Sequence, residues 1–185
     1  YLSYIMTAMP FGALFGAAIG GFYADKLGRK LILSISLISL IIGSIGAALA
    51  PVPSVLLCFR LLMGFAIGMD SPVAFTFVAE ISNKKAKGRN VNYWQVVWYI
   101  AVVTSALIVM FFYSLVTGAL LWRYSVGMGA VFATIILILR LFYLSESPTW
   151  SMKNKTLEEA CKELEKNYNC LLYTSPSPRD QRGSR

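Results

Sequence analysis

Histidine is absent from all 185 residues, so no imidazole is available to hold a metal, relay a proton or act as a general base. Charge is scarce too. Only 14% of residues are Asp, Glu, Lys or Arg against 57% hydrophobic, too few for the surface of an ordinary soluble domain. The three cysteines, Cys58, Cys161 and Cys170, fit neither a zinc site nor a disulfide framework. No nucleophile–base set can be assembled from the sequence. An enzyme is therefore not expected, and neither a metal nor a cofactor is implied.

Few charges alone would also suit a very apolar soluble core, so their placement decides. Residues 1–24, 31–59 and 91–122 hold no charged side chain. Crossing the hydrocarbon of a bilayer takes roughly 20 apolar residues, and each stretch is long enough. The pattern predicts five spans, at about Ile5–Ala24, Leu31–Ala50, Ser54–Ala79, Tyr93–Val116 and Tyr124–Leu144. Pro51-Val52-Pro53 closes the second span, because proline lacks an amide donor and disfavours helix in the residue before it. Thr117-Gly118 divides the fourth span from the fifth. In lipid every backbone polar group needs an internal partner, so these runs must be helical. The expected fold is an all-α, polytopic transmembrane helical bundle.

A net charge of +8 would suit a nucleic-acid binder, but the cations lie in short clusters between spans. Lys26, Arg29 and Lys30, then Lys84, Lys85, Lys87 and Arg89, then Lys153 and Lys155 fall on one side, while Arg123 stands alone on the other. The positive-inside rule makes residues 25–30, 84–89 and 145–169 cytoplasmic in a cell membrane, with Tyr1 outside. The expected partners are a lipid bilayer and a small solute, not nucleic acid. A chain entering from outside at Tyr1 reads as having one helix upstream, a genuine external amino terminus being the alternative. Residues 1–150 form the expected membrane domain, and 151–169 start a cytoplasmic loop with a charged helix pattern over 156–166, where Glu158 and Lys162 stand at i,i+4. Residues 170–185, with Cys170-Leu-Leu-Tyr-Thr-Ser-Pro-Ser-Pro-Arg-Asp180, resemble a translated sequencing adapter, the alternative being a Ser/Pro-rich linker.

Four motifs fall at defined places in this topology. Gly21-x3-Asp25-Lys26-Leu27-Gly28-Arg29-Lys30 resembles the signature joining helices two and three of the major facilitator superfamily. Arg60-x3-Gly64-x3-Gly68, followed by Glu80 and Lys87-Gly88, resembles the helix-four signature of its sugar-porter branch, with Lys87 replacing the usual Arg. Trp122-Arg123 stands at the outer start of the last span. Glu146-Ser147-Pro148-Thr149-Trp150 is similar to the branch's Pro-Glu-Ser-Pro-Arg-Trp, with Ser145 for the first Pro and Thr149 for the Arg, so a salt bridge made by that Arg is not available. The resemblance covers residues 1 to about 166. It implies that the spans are helices two to six of an amino-terminal six-helix bundle, completed by a second six-helix bundle of the same chain. It further implies secondary active transport of a small polar solute, such as a sugar, an organic acid or phosphate, coupled to protons. A uniporter is the alternative, as is a transporter-like receptor or scaffold that binds solute without moving it.

Candidate residues follow. Gly12, Gly16 and Gly20 recur every four residues, and Gly64 and Gly68 share a face with Arg60, so both sets are read as close-packing faces. Gly28 permits the sharp turn. The resemblance implies that Asp25, Arg29, Glu80, Arg89 and Glu146 form a salt-bridge network gating the cytoplasmic side. The plainer reading of Lys26, Arg29 and Lys30 is topology determination.

Charge inside a membrane is costly enough to mark function. Arg60 lies about 9 Å from the outer end of its helix. Resemblance to proton-coupled sugar porters implies an acidic partner for it on the upstream helix, a snorkelling anchor being the alternative. Asp70 stands near mid-membrane, in a stretch resembling the Gly-Gly-Asp-Tyr-Pro-Leu segment of proton-coupled phosphate porters. Arg60 is about 15 Å away along the axis and cannot neutralise it. A desolvated carboxyl without a counter-ion is a proton-coupling candidate, and one satisfied by Ser or backbone donors is the alternative. Gln95 follows Gly88 at the spacing of the sugar porters' substrate-binding Gln, with Trp94, Trp98 and Tyr99 nearby as stacking or interfacial aromatics.

Overall fold

The computed structural model describes residues 2–82, 87–115, 120–144, 146–147 and 150–151. Five helices run in order: α1 Leu2–Leu27, α2 Arg29–Leu49, α3 Pro53–Ile81, α4 Lys87–Leu115 and α5 Leu121–Tyr143. Each is long and apolar enough to cross a membrane. They coincide with the expected spans to within a few residues, except that α4 starts six residues early, at Lys87. Helix α1 runs on through Asp25 and Lys26, and α3 through Glu80, because amide pairing continues past the apolar run. Ala50 caps α2 and Pro53 opens α3, where a missing N–H costs nothing. Lys84, Lys85, the 116–119 connection, Ser145, Pro148 and Thr149 lie outside the described residues, as do the 156–166 helix pattern and the adapter-like 170–185.

Tyr1–Ser147 make one compact unit, and a second begins at Pro148. Within the first, α1 packs most closely on α3. A β-carbon on Gly12 or Gly16 would collide with the Leu61 or Phe65 carbonyl, and one on Gly20 with Met69. Across the seam, a β-carbon on Gly64 or Gly68 would collide with the Met9 or Ala13 carbonyl. Both glycine rows are therefore contact faces, and they mesh with each other. Lipid solvates Leu as well as a neighbouring helix does, so backbone proximity of this kind is what holds transmembrane helices together. The sequence reading passed over Gly43 and Gly46, which take Met63 and Phe59 of α3 against α2 in the same way.

A small core of Ala24, Ile32, Leu33, Met69, Val73 and Ala74 joins α1, α2 and α3. Trp94 of α4 packs against it and meets Phe75 at 4.7 Å. No residue in the apolar window of the α4 span is buried. At one end of the bundle Arg123 Nη2 donates to the Ala50 carbonyl at 3.0 Å, tying α5 to the last turn of α2. Hydroxyls inside the spans are satisfied locally: Ser71 donates to the Ile67 carbonyl, Thr104 to that of Ile100 and Thr134 to that of Ala130.

Gly64→Ala is expected to lower the thermal unfolding temperature of the purified protein in detergent, since overpacking costs about 1–3 kcal/mol. A β-carbon on Gly21 meets nothing within 4 Å, so Gly21→Ala should leave that temperature unchanged or raise it slightly. Equal behaviour of the two variants would contradict the packing of α1 on α3.

Candidate functional site

Two polar layers cross the bundle near the end where α1 turns into α2. The first is built on Gly28, whose φ of 100° belongs to the left-handed region that favours glycine. Helix α2 then starts at Arg29 with no side-chain cap from its own residues. Glu146, arriving after α5, supplies one. Its Oε1 accepts from the Arg29 N–H at 2.7 Å and the Lys30 N–H at 3.1 Å. A carboxylate at a helix amino terminus answers both the unpaired amides and the positive end of the dipole. A β-carbon on Gly28 would stand 3.0 Å from Glu146 Oε2, so glycine serves the turn and the approach alike.

The Arg29 side chain reaches the other way. Its Nη2 lies 2.8 Å from Glu80 Oε1 on α3 and 3.5 Å from Asp25 Oδ1 on α1. Side-chain exposure is 11% for Arg29, 20% for Glu80 and 72% for Asp25. The Glu80 pair is thus the shielded one, while the Asp25 pair is open to solvent and weak. Ser147 Oγ donates to Glu80 Oε2. The start of α2, the end of α3 and the segment after α5 therefore converge on the Arg29–Glu80 pair.

The structure brings Asp25, Arg29, Glu80 and Glu146 to one end of the bundle, where a salt-bridge network of five residues was the expectation. It differs at two places. Glu146 binds backbone amides, and no ion pair joins it to a cation among the described residues, because the α2 amides are nearer than any guanidinium nitrogen. Arg89 is exposed at the start of α4 and forms no ion pair with the described residues.

The second layer lies deeper by about 10–15 Å, the rise over the residues that separate Arg29 from Ser36 and Glu80 from Asp70. Here the expectation of an Asp70 without a counter-ion is corrected. Arg140 of α5 grips it with both arms, Nη1 to Oδ1 at 2.6 Å and Nη2 to Oδ2 at 3.2 Å. The second proton on Nη1 goes to the Leu33 carbonyl of α2 at 2.9 Å. Ser36 Oγ is 2.8 Å from Asp70 Oδ1 and 2.9 Å from the Leu33 carbonyl, sharing its single proton between them. Side-chain exposure is 20% for Arg140 and 21% for Asp70. The sequence did carry a signal for Arg140. It is the one cation inside an otherwise uncharged run from 124 to 144, and its place near the helix end lets it pass for a snorkelling anchor.

Arg60 does not join either layer. It is half-buried, and its Nε is enclosed without a hydrogen-bond partner among the described residues. Gln95 is exposed on α4, as are Trp98 and Tyr99, whereas Trp94 is occupied by Phe75 and the core.

Five helices, each long and apolar enough to cross a membrane and pinned at one end by a charged turn, form the helical arrangement of the major facilitator fold. The xylose transporter XylE of Escherichia coli, in a partially occluded inward-open conformation, has this arrangement with a TM-score of 0.81. It is 22% identical, the match covering 89% of this chain and 44% of that one. The family model described as Sugar (and other) transporter matches residues 1–179, and the chain belongs to that family. The galactose-proton symporter of E. coli K12 is 33% identical over 158 residues, 85% of this chain and 33% of its own length. Inositol transporter 4 of Arabidopsis thaliana is 31% identical over 174 residues, 90% of this chain and 28% of its own. The chain thus spans about a third of the length of the curated relatives it matches. These relatives are transporters, not enzymes.

Removing the cap in Glu146→Ala is expected to cost about 0.5–2 kcal/mol and to fray the first turn of α2. Hydrogen exchange of the amides of Arg29 and Lys30 should accelerate in that variant, and less so in Glu146→Gln, which keeps an acceptor. Unchanged exchange in Glu146→Ala would remove the capping role.

Proposed function

We propose that this chain forms part of a secondary active transporter for a small neutral polyhydroxylated solute, working by alternating access and coupled to protons. The observation that carries the reading is the family match over residues 1–179 on a bundle whose charged turn has its shielded partners in place. The Arg29–Glu80–Glu146 layer would hold this end closed while the other end is open, and the positive-inside rule makes it the cytoplasmic end. A second six-helix bundle would supply the opposite wall of the solute site, and the exposed flank of α4, with Gln95, would face solute or helices outside this chain. The relatives' names point to sugars and inositol, solutes that an amide such as Gln95 suits. Organic acids and phosphate are the less favoured cargo.

Coupling we place at Arg60. Its enclosed Nε has no partner among the described residues, so a carboxylate from elsewhere in the transporter would complete it, and protonation of that acid would release it. Asp70 is the weaker candidate, because a proton would have to displace a bidentate guanidinium. That same pairing favours a second reading, a uniporter whose buried charges are structural.

Uptake into proteoliposomes separates the two. With an imposed proton gradient, a symporter accumulates D-galactose, D-xylose or myo-inositol above the bath and carries protons inward with it, while a uniporter only equilibrates. Arg60→Leu is expected to abolish accumulation while counterflow exchange persists. Accumulation at the wild-type level in Arg60→Leu would remove Arg60 from coupling, and equilibration alone in the wild type would establish the uniporter.

A further inference from the structure

We infer that Arg140 is a positioning residue that keeps Asp70 in a permanent ion pair and so joins α2, α3 and α5 into one body throughout transport. The inference rests on the transport reading for its functional consequence, not for the pairing itself.

Each of the three helices gives the cluster a group that no other can replace. Helix α3 gives the carboxylate of Asp70 and α5 the guanidinium of Arg140. Helix α2 gives the Leu33 carbonyl and the Ser36 hydroxyl, the latter 1% exposed. Both Asp70 oxygens are engaged, and three of Arg140's protons are used. Fork-to-carboxylate geometry of this kind fixes orientation as well as distance. Among the described residues, Arg140 is the only charged group brought to this level by a neighbouring element. Helix α2 carries none between Leu31 and its end, and α1 carries none before Asp25. Gly64 and Gly68 show that α1 lies against a different side of α3. Nothing charged among the described residues therefore competes with Arg140 for Asp70. Separating the two side chains would leave two uncompensated ions in a low-dielectric interior, so a conformational change that parts α3 from α5 here is strongly disfavoured. The cluster sits under the Arg29–Glu80–Glu146 layer, which spans the same three elements. Two stacked polar layers resist hinging as well as sliding, which one alone would not.

A double-mutant cycle on the complete transporter tests this. Asp70→Asn and Arg140→Gln each strand one buried charge, and each is expected to lower the unfolding temperature by about 10 °C. The double variant removes both charges and should lie well above the sum of the two losses. In vesicles it should keep the wild-type pH dependence of accumulation for whichever of D-galactose, D-xylose and myo-inositol the wild type takes up. Simple addition of the two thermal losses would overturn the pairing. Loss of accumulation in the double variant with counterflow intact would overturn the positioning role, since Asp70 would then carry the proton. Asp70→Leu/Arg140→Met, which fills the volume with apolar groups, is the second version of the double, and collapse of both doubles below the singles would also overturn the inference. Should the wild type move none of the three solutes, the transport reading fails while the thermal cycle still decides the pairing.

Discussion

Lipid is as good a solvent for leucine as another helix is, so a membrane bundle cannot rely on hydrophobic burial to hold its helices in place. Everything specific in this structure answers that constraint. Helices α1 and α3 come together only because five glycines let their backbones touch. Helices α2, α3 and α5 are joined by polar groups that lipid could not satisfy: Glu146 on the α2 amides, Glu80 on Arg29, and Asp70 on Arg140. Helix α4 has neither device along most of its length, and it is the helix left most exposed.

The distribution of these devices has a mechanical consequence. Glycine contacts depend on van der Waals fit and permit small sliding, whereas bidentate charge pairs have steep directional preferences. The end of the bundle that carries both polar layers is therefore stiff, while at the other end the side-chain tie between α5 and α2 among the described residues is the hydrogen bond from Arg123 to the Ala50 carbonyl. On the proposed transport reading, stiffness at one end suits a bundle that rocks as a unit, with the moving seam against parts outside this bundle.

Much of this was legible in the sequence. Spans, helical state and the two meshing glycine rows follow from uncharged run length and a four-residue period, which are local properties. The proximity of Asp25, Arg29 and Glu80 was legible through motif, since they sit where the turn geometry carries them. What was not legible is pairing across distance. Seventy residues separate Asp70 from Arg140, and nothing in either local pattern names the other, so the carboxylate read as solitary and the cation drew no reading at all. Glu146 was read as a member of a salt-bridge network on family resemblance. Its true partners are backbone amides, which a sequence displays at every position and therefore nowhere in particular.

The charged ends of α2, α3 and α5 are tied into one body by the Arg29–Glu80 and Asp70–Arg140 pairs. Spin labels at Leu31, Thr76 and Phe142, exposed positions on those three helices, report it through pairwise distances in lipid vesicles. Measured with and without solute and on either side of an imposed proton gradient, all three distances should stay fixed to within about 2 Å, the scale of helix adjustments inside a packed unit. A separation of α5 from α2 or α3 by more than about 5 Å in any of these states would contradict it.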